Sequence, residues 1–301
     1  HSLNPAADCR GVCQFPLEKE LVGSWVRYSL ATLVLLRWAV ALSPAQSQIP
    51  AECHPWGRFS PGAWKLVRVV TETFDEQGNT TGSSITETRM TLNEVNGTGV
   101  VLEVDMVVEI AGKRIAAPPQ IVKQGYHGEL DDKTVHISDL GSGKIIIEGQ
   151  EIPCRIEQVE TTNTRTKTIL KTHWSASTEP CVLKRQSVTS DLESGEPLSQ
   201  SNVEVVALDM PCKVLSEIKS TVHLKTVLKH PRGTTITLSV TSNEIPGGVI
   251  CHTAKELNEK GQIVRRSALE LIDYDLKPRE ERTGLFHRWR SRLQSHRIPM
   301  H

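Results

Sequence analysis

Two Cys-His neighbours, Cys53-His54 and Cys251-His252, are the residue pairs best suited by type to do chemistry. A thiol beside an imidazole fits metal ligation or nucleophilic attack. On a β-strand, however, neighbours point to opposite faces, and neither pair could then converge on one metal or one substrate atom. The expected arrangement is a core cysteine beside a surface histidine. His252 also has Glu256 four residues on, which makes it the histidine to watch. Gly141-Ser142-Gly143-Lys144 looks like part of a phosphate loop, but the full motif needs glycine at 138 and Ser or Thr at 145, where Ser138 and Ile145 stand. That stretch is expected to be a hairpin turn.

Three glutamates, Glu87, Glu204 and Glu270, recur at matching points of a repeated pattern. They offer an acidic row for a cation or a basic partner, or a solvated strand face that discourages edge pairing. No nucleophile elbow, HExxH segment or spaced acid pair is present, so a hydrolase is the weakest functional reading. No cofactor is expected. Residues 284–301 carry Arg288, Arg290, Arg292 and Arg297 without an acidic residue, and Leu285, Phe286, Trp289 and Leu293 fall near one face at helical spacing. Residues 279–301 thus read as a basic amphipathic tail, with Trp289 the contact it would offer to an anionic membrane surface or a partner.

The elements that must position these residues follow from an internal repeat. Residues 174–209 and 240–275 align without a gap at an offset of 66, matching Pro180 to Pro246, Glu193 to Glu259, Gly195 to Gly261, Ser201 to Ser267 and Glu204 to Glu270. A third copy, at 61–92, places Gly78 on Gly195 and Glu87 on Glu204. In each, an E-x-G tripeptide sits between runs of alternating apolar and polar residues, such as Val203-Glu204-Val205. Such a unit is a long antiparallel hairpin whose glycine takes positive φ. The stretches between copies read as strands too, among them 100–110, 144–149, 152–159, 222–229 and 234–240, with Pro231-Arg232 in a turn and Thr161 to Lys171 a threonine-rich exposed strand. No capped helical stripe interrupts residues 53–276. The fold class expected is all-β: repeated antiparallel hairpins forming a curved sheet or half-barrel, or a sandwich, across residues 49–278, with a short N-terminal signal helix and a C-terminal helix in the tail.

Compartment follows from the N-terminal third and the cysteines. Arg27 precedes the apolar stretch Leu30 to Leu42, and small residues at 43, 45 and 47 follow with the spacing of a cleavage site. Residues 26–48 therefore read as an export signal and 1–25 as a doubtful extension. Glu52 before Cys53 does not suit a lipid-anchor site. Beyond the signal five cysteines remain, an odd number. Cys154–Cys181 and Cys181–Cys212 are the candidate disulfides, with free buried thiols the alternative. The 35 basic and 35 acidic residues cancel, which argues against nucleic acid as a partner of the whole chain.

A β-only exported chain of hairpins, carrying Thr172-His173-Trp174-Ser175 ahead of Pro180, resembles the lipoprotein-carrier type of periplasmic half-barrel over residues 150–276. That resemblance implies a concave apolar face. The helices that cover this face in those carriers have no counterpart in the pattern, and no catalytic residue is carried across. The expected function is a non-catalytic binding or carrier module of the cell envelope, for a lipid, a glycan or another protein, in the periplasm, outer envelope or outside. A structural repeat protein is the alternative.

Overall fold

The computed structural model describes residues 49–126 and 134–277. Residues 26–48, expected from the sequence to be a signal, the extension before them and the tail with Trp289 lie outside the described residues. Among the described residues the only helical element is a single 3-10 turn, Ala51–Cys53. All else regular is strand: β1 (Trp64–Phe74), β2 (Thr80–Val95), β3 (Gly99–Ile110), β4 (Lys113–Ala116), β5 (Gln120–Gly125), β6 (Thr134–Ile147), β7 (Gln150–Thr162), β8 (Thr166–Trp174), β9 (Val182–Asp191), β10 (Pro197–Val214), β11 (Glu217–His230), β12 (Gly233–Thr241), β13 (Val249–Asn258) and β14 (Ile263–Asp275).

These fourteen strands form one antiparallel sheet, ordered β4-β3-β2-β1-β14-β13-β12-β11-β10-β9-β8-β7-β6, with β5 also on β3. Of the arrangements expected from the sequence, the open curved sheet is the one formed, not the sandwich. β4 and β5 pair with the two halves of β3 on the same side and make one broken edge strand. The break is Ala117-Pro118-Pro119, where proline has no N–H to give the ladder. Curvature is forced by connectivity. Laid flat at roughly 4.8 Å per step, thirteen strand positions would put the two edges roughly 58 Å apart. The chain from Tyr126 to Thr134 spans at most about 28 Å. The sheet must curl until its edges come within that reach.

The concave face holds three apolar clusters. Val67, Leu271 and Ile250 meet Val214 and Ile245 in one. Leu183, Val205 and Val222 meet Ile147 and Cys154 in the second, so the β6–β7 tip folds over β9–β11. There Glu148 accepts the Leu208 N–H at 3.1 Å. Trp56, Leu92, Val100 and Leu102 form the third.

The three segments aligned from the sequence each fold as strand, turn, strand, and their glycines Gly78, Gly195 and Gly261 have φ of 84°, 71° and 78°. Each turn is held by an Asx oxygen that accepts two backbone N–H groups: Asp75 from Gln77 and Asn79, Asp191 from Glu193 and Ser194, Asn258 from Lys260 and Gln262. The register corrects the ungapped alignment. β9 and β13 lie 67 residues apart and share the same succession of buried and exposed positions, whereas the strands after the turn start 66 apart. The turn after Asp191 holds one residue more, closing on Glu196, where Asn258 closes on Gln262. Arg185, not Gln186, is thus the counterpart of His252.

Two other expectations are corrected. Gly141 to Lys144 lies inside β6, where the pairing with β7 slips between Asp139 and Ser142; the glycines serve a bulge, and the hairpin turn is Glu148-Gly149. The threonine run does not form one strand, because Asn163 turns the chain between β7 and β8, its side chain accepting from Arg165 and Thr166.

Candidate functional site

The site is built by a strap, residues 49–59, that crosses the concave face between two loops of equal construction. One loop joins β8 to β9 and closes with the Ser175 N–H on the Cys181 carbonyl at 2.8 Å; the other joins β12 to β13 and closes with the Ser242 N–H on the Gly248 carbonyl at 2.9 Å. On the first side the strap is bonded covalently, Cys53 to Cys181, across 128 residues. The disulfide pairing considered from the sequence is corrected here: Cys181 bonds neither Cys154 nor Cys212, which are free, as is Cys251. Arg58 reinforces the same side, 3.3 Å from the Glu179 carboxylate, while it donates back to the Glu52 carbonyl at 3.0 Å.

On the second side the Gly247 N–H donates to the Pro55 carbonyl at 3.0 Å. Gly247 has φ of 69°, and a Cβ there would stand 2.7 Å from the Trp56 ring. Only glycine lets the loop press this closely on the strap. Trp56 is buried in the cluster with Leu92 and Leu102. Behind it Lys65 reaches from β1, its Nζ 3.2 Å from the Gly247 carbonyl and 5.8 Å from the Trp56 ring. Burial pushes the Lys65 ammonium down to about 8.

Under the strap lies a cavity of about 660 Å³. Its floor is Val182, Val203, Val222 and Leu224 from β9, β10 and β11. Arg185 projects from the same face, level with Thr172 and Val203 on the neighbouring strands. The rim carries Gln124, Asn243, Glu179 and Glu244, and Glu244 is held by Lys219 at 2.8 Å. His54 is buried in the wall, edge-on to Tyr126, with its Nδ1 accepting the Trp56 N–H at 3.3 Å. Burial, helped by the charge of Arg185, pushes the imidazole down to about 4. His54 is neutral at pH 7 and stays an acceptor.

The residues singled out from sequence fall elsewhere. Cys53-His54 is not on a strand; the thiol is spent in the disulfide and the imidazole in the strap. Cys251-His252 does lie on β13, with His252 opposite Ser239 and Leu269 on the concave face, outside the cavity lining. Burial lowers the His252 pKa. Glu87 and Glu270 come together around Arg68, at 2.9 Å and 3.5 Å, and Arg114 takes the other Glu87 oxygen at 2.9 Å. Glu204 stands far along the sheet, in register with Lys184 and Lys225. Another thiol–imidazole pair, Cys154 and His173, meets across β7 and β8 at 4.0 Å. Burial raises the thiol and lowers the imidazole, so both stay neutral, the reverse of what an activated cysteine needs. Among the described residues no three His, Cys, Asp or Glu side chains are placed to hold a metal ion. No helix among them is long and apolar enough to cross a membrane.

What the sequence reasoning missed is the strap and Arg185. The signal for Arg185 was present: Ser175 and Ser242, and Asp191 and Asn258, stand 67 apart, and that register puts Arg185 on the inward face with Leu183.

No family model matches the chain, and no curated protein is similar to it in sequence. Among solved structures it is similar to a provisionally described lipoprotein from Parabacteroides distasonis, at 10% identity over 74% of this chain and 98% of that one, with a TM-score of 0.29. A provisionally described exported protein with a YmcC-like fold from Bacteroides fragilis matches at 9% identity over 72% and 97%, with a TM-score of 0.27. Likenesses this distant bear on neither ligand nor partner.

Proposed function

We propose that the chain is an exported, non-catalytic binding or carrier protein of the cell envelope whose concave cavity takes an apolar ligand. The observation that carries this reading is the roofed cavity of about 660 Å³ floored by Val182, Val203, Val222 and Leu224. That size and an apolar floor with a polar rim are typical of small-molecule pockets. Export is supported by the Cys53–Cys181 bond, since such bonds persist in oxidising compartments, and by the signal-like segment 26–48.

The experiment uses N-phenyl-1-naphthylamine, a neutral fluorophore that brightens in apolar surroundings, with native mass spectrometry of the purified protein alongside. Saturable brightening, abolished by Val222→Trp while thermal unfolding stays within a few degrees, supports the reading. Absence of saturable binding, or binding unchanged by Val222→Trp, overturns it and leaves the structural repeat protein as the better account.

A further inference from the structure

We infer that the ligand is an uncharged apolar molecule carrying an acceptor oxygen of carbonyl type, and that His54 selects it by donating its Nε2–H to that oxygen. The inference rests on the carrier reading and names its ligand class.

His54 is aimed by the chain on both sides of it. Cys53 before it is tied to Cys181, and the Pro55 carbonyl after it accepts the Gly247 N–H at 3.0 Å. Its own backbone N–H donates to the Ala51 carbonyl at 2.9 Å. The ring stands edge-on to Tyr126, and the strap uses only Nδ1, which accepts the Trp56 N–H at 3.3 Å. A neutral imidazole that accepts at Nδ1 carries its proton on Nε2. That Nε2–H has no hydrogen-bond partner among the described residues, although His54 is only 6% exposed and lines the cavity. Nor is it sealed inside the protein, as the unpaired hydroxyl of Thr172 is. The cavity is where it meets an acceptor. A donor left unmatched in a mostly apolar wall favours ligands that bring an oxygen over isosteres that do not.

The charges of the lining are already matched. It holds two guanidiniums, Arg58 and Arg185, and two carboxylates, Glu179 and Glu244. Arg58 faces Glu179 at 3.3 Å, Glu244 faces Lys219 at 2.8 Å, and Arg185 is engaged as well. A charged ligand would find no counter-charge waiting, and its burial would go uncompensated. Two hydroxyls of the lining are used in the same way, Tyr126 donating to the Asn96 carbonyl and Ser220 to Asp209. Burial and the Arg185 charge push His54 down to about 4, so at pH 7 it too offers a dipole and no charge. A fixed neutral donor beside a floor of Val203, Val222 and Leu224 matches an apolar body with an acceptor on it.

The test displaces N-phenyl-1-naphthylamine from the intact, oxidised protein with 2-nonanone, its isostere 2-methyl-1-nonene, and nonanoate, each corrected for the fluorophore's own affinity. His54→Phe, which removes the donor, should weaken 2-nonanone by at least ~5-fold, the worth of one neutral hydrogen bond, and leave 2-methyl-1-nonene unmoved. His54→Gln, whose amide accepts from Trp56 and still donates to the ligand, should recover part of that loss. Nonanoate should bind no tighter than the ketone. In the unmutated protein, nitrogen NMR of the ring should read a bare Nδ1 and a protonated Nε2, with the Nε2 signal shifting on addition of the ketone and not of the alkene. Equal losses of ketone and alkene in His54→Phe, or an Nε2 signal that both move alike, overturn the inference and leave the carrier reading intact. Tighter binding of nonanoate than of 2-nonanone also overturns it. Failure of the fluorophore itself to bind the folded protein overturns the inference and the carrier reading together. The NMR comparison on the unmutated protein decides the matter even where His54→Phe does not fold.

Discussion

Segments 174–209 and 240–275 share a loop, a strand, a turn and a second strand, yet they have opposite relations to the strap. The first loop ends in Cys181, which binds the strap covalently; the second ends in Gly247-Gly248, which holds it without a covalent bond, by one hydrogen bond to the Pro55 carbonyl and by close fit against Trp56. On the strand that follows, the inward position one turn of the pleat past Leu183 is Arg185, while past Ile250 it is His252. Arg185 enters the cavity and His252 does not. One backbone thus supports two chemistries. The difference lies in which loop atoms the strap can approach, and that depends on single residues, not on the strand pattern.

Breaking the covalent side should have the largest effect. Cys53→Ser with Cys181→Ser frees a 128-residue loop in the unfolded chain. Chain-entropy accounting puts that at about 5 kcal/mol of stability. Thermal unfolding of the double variant, and of the natural chain under reductant, should fall together. A reductant effect persisting in the double variant would show that another bond matters.

The fitted side breaks differently. Gly247→Val drives a branched side chain into the Trp56 ring at a φ of 69°. Overpacking plus the left-handed backbone should cost about 4 kcal/mol. Gly248→Ala shares the positive φ but meets nothing nearer than 3.7 Å, so it should cost only about 1 kcal/mol. Equal losses in denaturant titrations would mean that backbone strain, not contact with the strap, governs this loop.

Acid should loosen the strap through His54. Its pKa is about 4 in the folded protein against 6.5 when free, so the folded state favours the neutral ring. The stabilisation is fully present above pH 6.5 and is lost as pH falls through 6.5 toward 4, up to about 3 kcal/mol. Protection of the Trp56 amide, its exchange rate taken relative to that of an unfolded peptide at the same pH, should fall over that window, and His54→Gln, which keeps an acceptor, should flatten the fall.

Lys65 gives a smaller pH effect than His54, and in the alkaline range. Its pKa falls from 10.5 to about 8, so the folded state binds the proton less tightly than the unfolded one. Stability should therefore increase as pH climbs above 8, by about 1.4 kcal/mol per unit until the free value is reached. Between pH 8 and 9.5 the unfolding free energy from denaturant titrations should rise by about 2 kcal/mol in the natural protein, moving the midpoint up, and stay level in Lys65→Met. A falling midpoint in the natural protein over that range would disprove the burial of a charged amine here.

Much of this fold was legible in order along the chain. Alternation such as Val203-Glu204-Val205 has period two, and a glycine between such runs leaves few conformations open, so strands and turns could be assigned locally. The same logic failed at Gly141 to Lys144, because glycine serves a bulge as readily as a turn. The gapless alignment failed because one extra turn residue slips every side chain before it to the other face. That slip hid Arg185 behind Gln186.

The amino-acid order alone determined that the chain is all-β, where most hairpins turn, and which face of each strand is apolar, since these depend on neighbours a few residues apart. Tertiary structure alone decided that Cys53 meets Cys181, that Trp56 rests on Gly247, and that valines from three strands share one cavity. Those contacts join residues more than a hundred positions apart or combine many strands, and they exist only once the sheet has curled; local propensity carries no information about which distant groups a curved surface will bring together.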